Sequence, residues 1–120
     1  MFKRDDHAVV HRFATACRAG SAGAIRSLLA PEVISVSDGG GQVAAALSPV
    51  RGVEQVARSV ADLLGRHREP ALTVEAVNGQ PGVVVRSVGG VVAVMSFRVA
   101  GAKVAAVWIV LNPDKLRHWE

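Results

Sequence analysis

Apolar residues recur at helical spacing near the start of the chain, as Val9, Val10, Phe13, Ala14 and Cys17, and predict an amphipathic helix. Asp5 or Asp6 can cap its start, and Gly20 ends it. Ser21 can cap a second, shorter helix with a stripe of Ile25, Leu28 and Leu29, which Pro31 stops. The period then changes. From Glu32 to Asp38 the β-branched Val33, Ile34 and Val36 alternate with Ser35 and Ser37, which predicts a strand. Gly39, Gly40 and Gly41 predict a turn, and Gln42 to Leu47 a return strand. Helical spacing resumes with Val53, Val56, Ala57, Val60, Leu63 and Leu64. It ends at Gly65, where Arg66, His67 and Arg68 suit the negative end of a helix dipole.

The second half reads as strands. Leu72 to Val77 leads into the hairpin dipeptide Asn78-Gly79, and Gly82 to Val88 into Gly89-Gly90. Val91 to Val99 and Lys103 to Leu111 complete a four-stranded antiparallel meander. Pro113 breaks the last strand, and the tail behind it can form one helical turn. The fold class is therefore α+β. Val91, Ala93, Met95, Phe97 and Val99 alternate with a second, mostly apolar set, and so do Val104, Ala106, Trp108 and Val110. A sheet with one solvated face would alternate with polar residues. One face is thus expected to cover the helices and a pocket, and the other to meet a partner. A second copy in a homodimer is the first expectation for that partner, and a different domain the second.

With 120 residues, half of them apolar, the chain fits one domain spanning 1–120. Its longest apolar run, Val104 to Leu111, has the length of a strand, so no membrane span is expected. The basic N-terminal residues have no hydrophobic stretch behind them, so no secretory signal is legible and a cytoplasmic location is expected. Cys17 is the only cysteine, which excludes an intrachain disulfide. Its place on the apolar helix face marks a small core residue. The net charge of +4 comes from scattered Arg and Lys, and there is no Tyr. This pattern argues against direct nucleic-acid binding and suits solubility or an acidic partner surface.

Two short segments stand out. Asp38-Gly39-Gly40-Gly41 follows a strand; another strand, not a helix, is expected after it, and no Gly-Lys-Ser/Thr is present, so it is not a phosphate loop. Its bland reading is a hairpin turn. Asn112-Pro113-Asp114-Lys115-Leu116 is, on physical grounds, a strand stop, because Pro113 cannot continue a ladder and Asn112 or Asp114 can bond the local backbone. Among the carboxylates, Asp38 at the end of the first strand is the candidate general base, with Phe13, Met95, Phe97 and Trp108 as candidate lining of an apolar pocket around it. No acid–base pair is recognisable by spacing. His7 and His11 stand at i and i+4 with no Glu between them, which reads as a solvated pair rather than a metal site. No cofactor signature is present.

The order helix, helix, strand, strand, helix, then four antiparallel strands resembles the nuclear transport factor 2-like superfamily. That resemblance implies a curved sheet wrapped around three helices. With the glycine-rich turn and the intact Asn112 to Leu116 spelling, the chain most resembles the SnoaL-like domains at the C-terminus of extracytoplasmic-function sigma factors. In those domains the acidic glycine-rich segment is typically followed by Lys; here Gln42 stands there. The resemblance implies a regulatory or small-ligand-binding module, with Asn112 to Leu116 in protein interaction and sigma-factor core regions or RNA polymerase as partners. Enzymes on this fold, the ketosteroid isomerases and polyketide cyclases, imply the alternative, an isomerase- or cyclase-like activity with Asp38 as base. An excised C-terminal domain and a free-standing relative both remain open.

Overall fold

The computed structural model describes residues 4–39 and 49–119. Gly40, Gly41 and the return strand expected at Gln42 to Leu47 lie outside the described residues. Helix α1 spans Arg4–Arg18 and α2 spans Ala22–Arg26, where the Ser21 hydroxyl caps the start by accepting from the Ala24 N–H. Strand β1 is Leu29–Asp38, β2 the two residues Val50–Arg51, and α3 Val53–Gly65. The meander follows as β3 Ala71–Val77, β4 Gln80–Ser87, β5 Gly90–Ala100 and β6 Lys103–Val110. A short helix α4, Pro113–Leu116, and a 3-10 turn, Arg117–Trp119, close the chain.

Pro31 does not stop α2 as expected. The helix ends at Arg26 with Ser27 as its C-cap, and β1 has begun by Leu29. The proline is tolerated because the register between β1 and β6 shifts between Leu29 and Ile34. A residue there owes no ladder hydrogen bond.

The six strands among the described residues form one sheet in the order β2-β1-β6-β5-β4-β3. The β3 to β6 meander is antiparallel as expected. Its first hairpin turns on Asn78 and Gly79, both at positive φ (52° and 78°), as a tight two-residue turn requires. β1 runs parallel to β6, a pairing between distant parts of the chain. At Gly82 the strands approach so closely that a Cβ would lie 2.4 Å from Val77 Cγ2 and 2.6 Å from the Met95 carbonyl oxygen.

One face of the sheet packs on α1 and α3 around Phe13, Val56, Val60, Met95 and Val107. Phe13 and Phe97 meet edge to face there, with ring centroids 5.0 Å apart. Two bulges decide which residues face inward. Arg98 pairs with Ala106 but Val99 pairs with Val104, so Ala105 is an extra residue on β6. Likewise Val85 pairs with Ala93 but Arg86 with Val91, so Val92 is extra on β5. Each extra residue reverses the alternation beyond it. Val104 therefore joins Val107 and Ile109 in the inner core, and Val91 joins Val94 on the outer face.

Candidate functional site

The parallel β1–β6 pairing sets Asp38 level with Val110, and the Leu111 N–H donates to the Asp38 carbonyl at 2.7 Å. Just beyond, the Asn112 carbonyl accepts from the N–H groups of Lys115 and Leu116, each at 3.0 Å, and so starts α4. Pro113 opens that turn, where its missing N–H costs nothing. The turn carries Lys115 back over Asp38, with Nζ 2.5 Å from Oδ2. It also buries Leu116 (4% exposed) among Val77, Val84, Val91 and Val94 on the outer face of the sheet, with Val110 and Trp119 packed at the edge. The two segments singled out in the sequence thus touch each other.

A second contact holds the far end of the tail. The Arg86 guanidinium bonds Glu75 Oε2 at 2.7 Å and Thr73 Oγ1 at 3.0 Å, and its other Nη reaches the Trp119 carbonyl at 3.5 Å. The Arg86 and Thr73 hydrogen bonds hold the Glu75 carboxyl below its usual range. Arg86 carried no signal in the sequence, since its role depends on which face it shares with the tail. The Asp114 backbone lies in α4; its side chain is not among those described.

The expected pocket lining divides. Phe13, Met95 and Phe97 come together in the inner core, all buried. Trp108 does not join them. It pairs with Val36 and Ser96 on the opposite face and is 41% exposed. The reason is the Ala105 bulge, which separates Trp108 from the inward-facing Val104. Asp38 also lies apart from the three buried residues, because its ladder partner Val110 packs with the outer cluster and its carboxylate meets Lys115. The tail covers the outer face around Val84 and Val94. Ile34, Val36, Ala106, Trp108, Ser96 and Arg98 form the half that lies beside it.

Two further features were not singled out from the sequence. Ser35 faces inward in line with Val33, only 1% exposed, and its hydroxyl is the one buried side-chain polar atom without a hydrogen-bond partner among the described residues. An open groove of about 450 Å³ runs between α1 and α2. Ala16, Ala24 and Leu28 line it, with His11 and Arg12 among its α1 residues. Cys17 is buried, and burial pushes its thiol up to about 12, which fits a core residue. Among the described residues no group of three His, Cys, Asp or Glu could hold a metal. Among the described residues no helix is long and apolar enough to cross a membrane.

No protein-family model matches the chain. The sigma factor SigJ of Mycobacterium tuberculosis, an extracytoplasmic-function RNA polymerase sigma factor, is 32% identical over 118 residues. That match takes in 89% of this chain and 38% of the relative, so the chain spans well under half of the protein it matches. The crystal structure of SigJ superposes with a TM-score of 0.74 at 28% identity, over 94% of this chain and 44% of that one. This is a SnoaL-like domain of the nuclear transport factor 2-like fold, and it resembles the C-terminal domain of extracytoplasmic-function sigma factors. The SnoaL-like fold also superposes on a hypothetical protein with a ketosteroid isomerase-like fold from Catenulispora acidiphila, solved in complex with trimethylamine, with a TM-score of 0.64 at 16% identity over 90% of this chain and 88% of that one. A de novo designed protein with a curved β-sheet gives 0.67 at 19% identity, over 98% and 93% of the two chains. A fold does not by itself fix an activity.

Proposed function

We propose that this SnoaL-like domain is a non-catalytic regulatory module that modulates transcription by docking on sigma-factor core regions or RNA polymerase. The observation that carries this reading is the tail fastened to the domain's own sheet. Lys115 pairs with Asp38, and Leu116 is buried among outer-face valines. The tail turns half of an apolar sheet face into packed interior and leaves the other half, centred on Trp108, for contact. Exposed aromatic side chains set in apolar surroundings are the usual anchors of protein interfaces. A small apolar ligand held by the domain is a further part of this reading, and so is a homodimer in which a second copy covers that half until the core regions displace it. So is a cytoplasmic location, which a transcriptional role requires.

The isomerase- or cyclase-like alternative has less support. Its proposed base, Asp38, is paired with a lysine on the outer face, away from the buried Phe13, Met95 and Phe97. A general base must reach the proton it abstracts within a substrate-holding site.

Calorimetric titration against separately produced sigma-factor core regions from the same genome tests the proposal. Saturable micromolar or tighter binding is expected, weakened about tenfold by Trp108→Ala. Absence of heat at high concentration, or turnover of an apolar carbonyl compound that Asp38→Asn abolishes, would overturn it.

A further inference from the structure

The helical hairpin at the start of the domain has an unusual charge distribution. Between Asp6 and Glu32 the sequence contains Arg12, Arg18 and Arg26 and no acidic residue. Two of these arginines are engaged within the domain. Arg18 donates to the Leu72 carbonyl through Nε and Nη2 at 3.2 and 2.9 Å, and Arg26 pairs with Glu54 at 3.4 Å. Arg12 and His11 are exposed and have no side-chain hydrogen bond or ion pair among the described residues. Both border the groove between α1 and α2.

The rest of that groove is apolar in effect. Its floor is Ala16, Ala24 and Leu28. Its two hydroxyls are turned to the helix backbones, Thr15 donating to the His11 carbonyl at 3.0 Å and Ser27 to the Ala24 carbonyl at 2.7 Å. Neither needs a hydrogen bond from outside. Three of the lining residues are alanine at positions 16, 19 and 24, so an incoming backbone can approach closely.

A cleft open along its length leaves a small ligand largely in water, whereas small-molecule sites bury most of their ligand. A helix brings its own cover and reads such a cleft with residues at i, i+3, i+4 and i+7. Nucleic acid would require a row of cations, and Arg12 is the one arginine or lysine among the lining residues. We infer that the α1–α2 groove is a docking site for an acidic amphipathic helix of a partner protein, with apolar side chains on Ala16, Ala24 and Leu28 and carboxylates on Arg12 and His11. This rests on the docking reading above and gives that docking a second surface, separate from Trp108 and the tail.

Amide-resolved NMR of the labelled chain, titrated with the same sigma-factor core regions, tests it. Shift changes at Arg12, Thr15, Ala19, Ala24 and Leu28, with affinity lowered at least tenfold by Arg12→Glu and kept by Arg12→Lys, are the expected result. Arg12 is exposed, so the charge reversal leaves the fold intact. Changes confined to Trp108 and residues 112–119, with Arg12→Glu binding as tightly as the parent, would overturn the groove and leave docking itself standing. Changes in the groove on concentrating the chain alone would overturn it in favour of a second copy. No changes anywhere at millimolar partner would overturn both readings.

Discussion

Lys115 Nζ lies 2.5 Å from Asp38 Oδ2, joining residues 77 positions apart in the chain. The contact is possible because β1 and β6 run parallel and end together, with Leu111 bonded to the Asp38 carbonyl. Both side chains are well exposed, at 61% and 40%, so the pair positions the tail more than it stabilises the domain. Exposed pairs contribute about 0.2–1 kcal/mol. Asp38→Asn and Lys115→Met should each cost about that much, and the double variant no more than the larger of the two. Urea midpoints at low and high salt check this, with the difference shrinking at high salt. Additive losses would mean that the two side chains do not interact.

Leu116 should matter more than the ion pair beside it. Leu116→Ala removes a buried side chain from the Val77, Val84, Val91 and Val94 cluster. Core truncations of this kind cost about 2–5 kcal/mol, and a single terminal turn belongs at the lower end. The variant should also expose the valines beneath it, which binding of an apolar dye would report. Unchanged stability and no dye binding would show that the tail is not seated on the sheet in solution.

Ser35→Ala is expected to be neutral or stabilising by up to about 1 kcal/mol. A buried hydroxyl without a partner has lost its water for nothing, and alanine removes that cost while leaving only a small void. Thermal denaturation is the measurement. A loss above about 1 kcal/mol would reveal that the hydroxyl bonds something when the protein is in solution.

Cys17 makes the protein sensitive to alkali. Its thiol is raised from 9.0 to about 12 by burial. A group raised in this way stabilises the folded state fully below its unfolded value, and that contribution is lost as pH rises from about 9 to about 12. Cys17→Ala should flatten the fall in stability over that window. At pH 8 a thiol reagent should modify Cys17 only at the rate of unfolding, and fast labelling of the native chain would contradict its burial.

The elements themselves were legible because each is announced by local chemistry. Asn78-Gly79 fixes its hairpin by tolerating positive φ, Ser21 caps α2 through its own hydroxyl, and the spacing from Val53 to Leu64 fits α3. These preferences act over a few residues and here agree with the tertiary arrangement. The α+β class, the β3 to β6 meander and the buried Phe13, Met95 and Phe97 follow from them.

Four other features needed the folded chain. Pro31 sits inside β1 because a register shift spares it a hydrogen bond. Trp108 faces outward because Ala105 is bulged, a choice made by strand pairing and invisible in an alternating pattern. Arg86 holds the tail only because β4 and the 3-10 turn share a face. The sequence by itself supplied the spellings Asp38-Gly39 and Asn112 to Leu116, but their meeting was decided by the parallel pairing of β1 with β6. Local preference determines which element forms. Which elements meet, and with which face, is set by burial summed over the whole sheet, and a single extra residue is enough to reverse it.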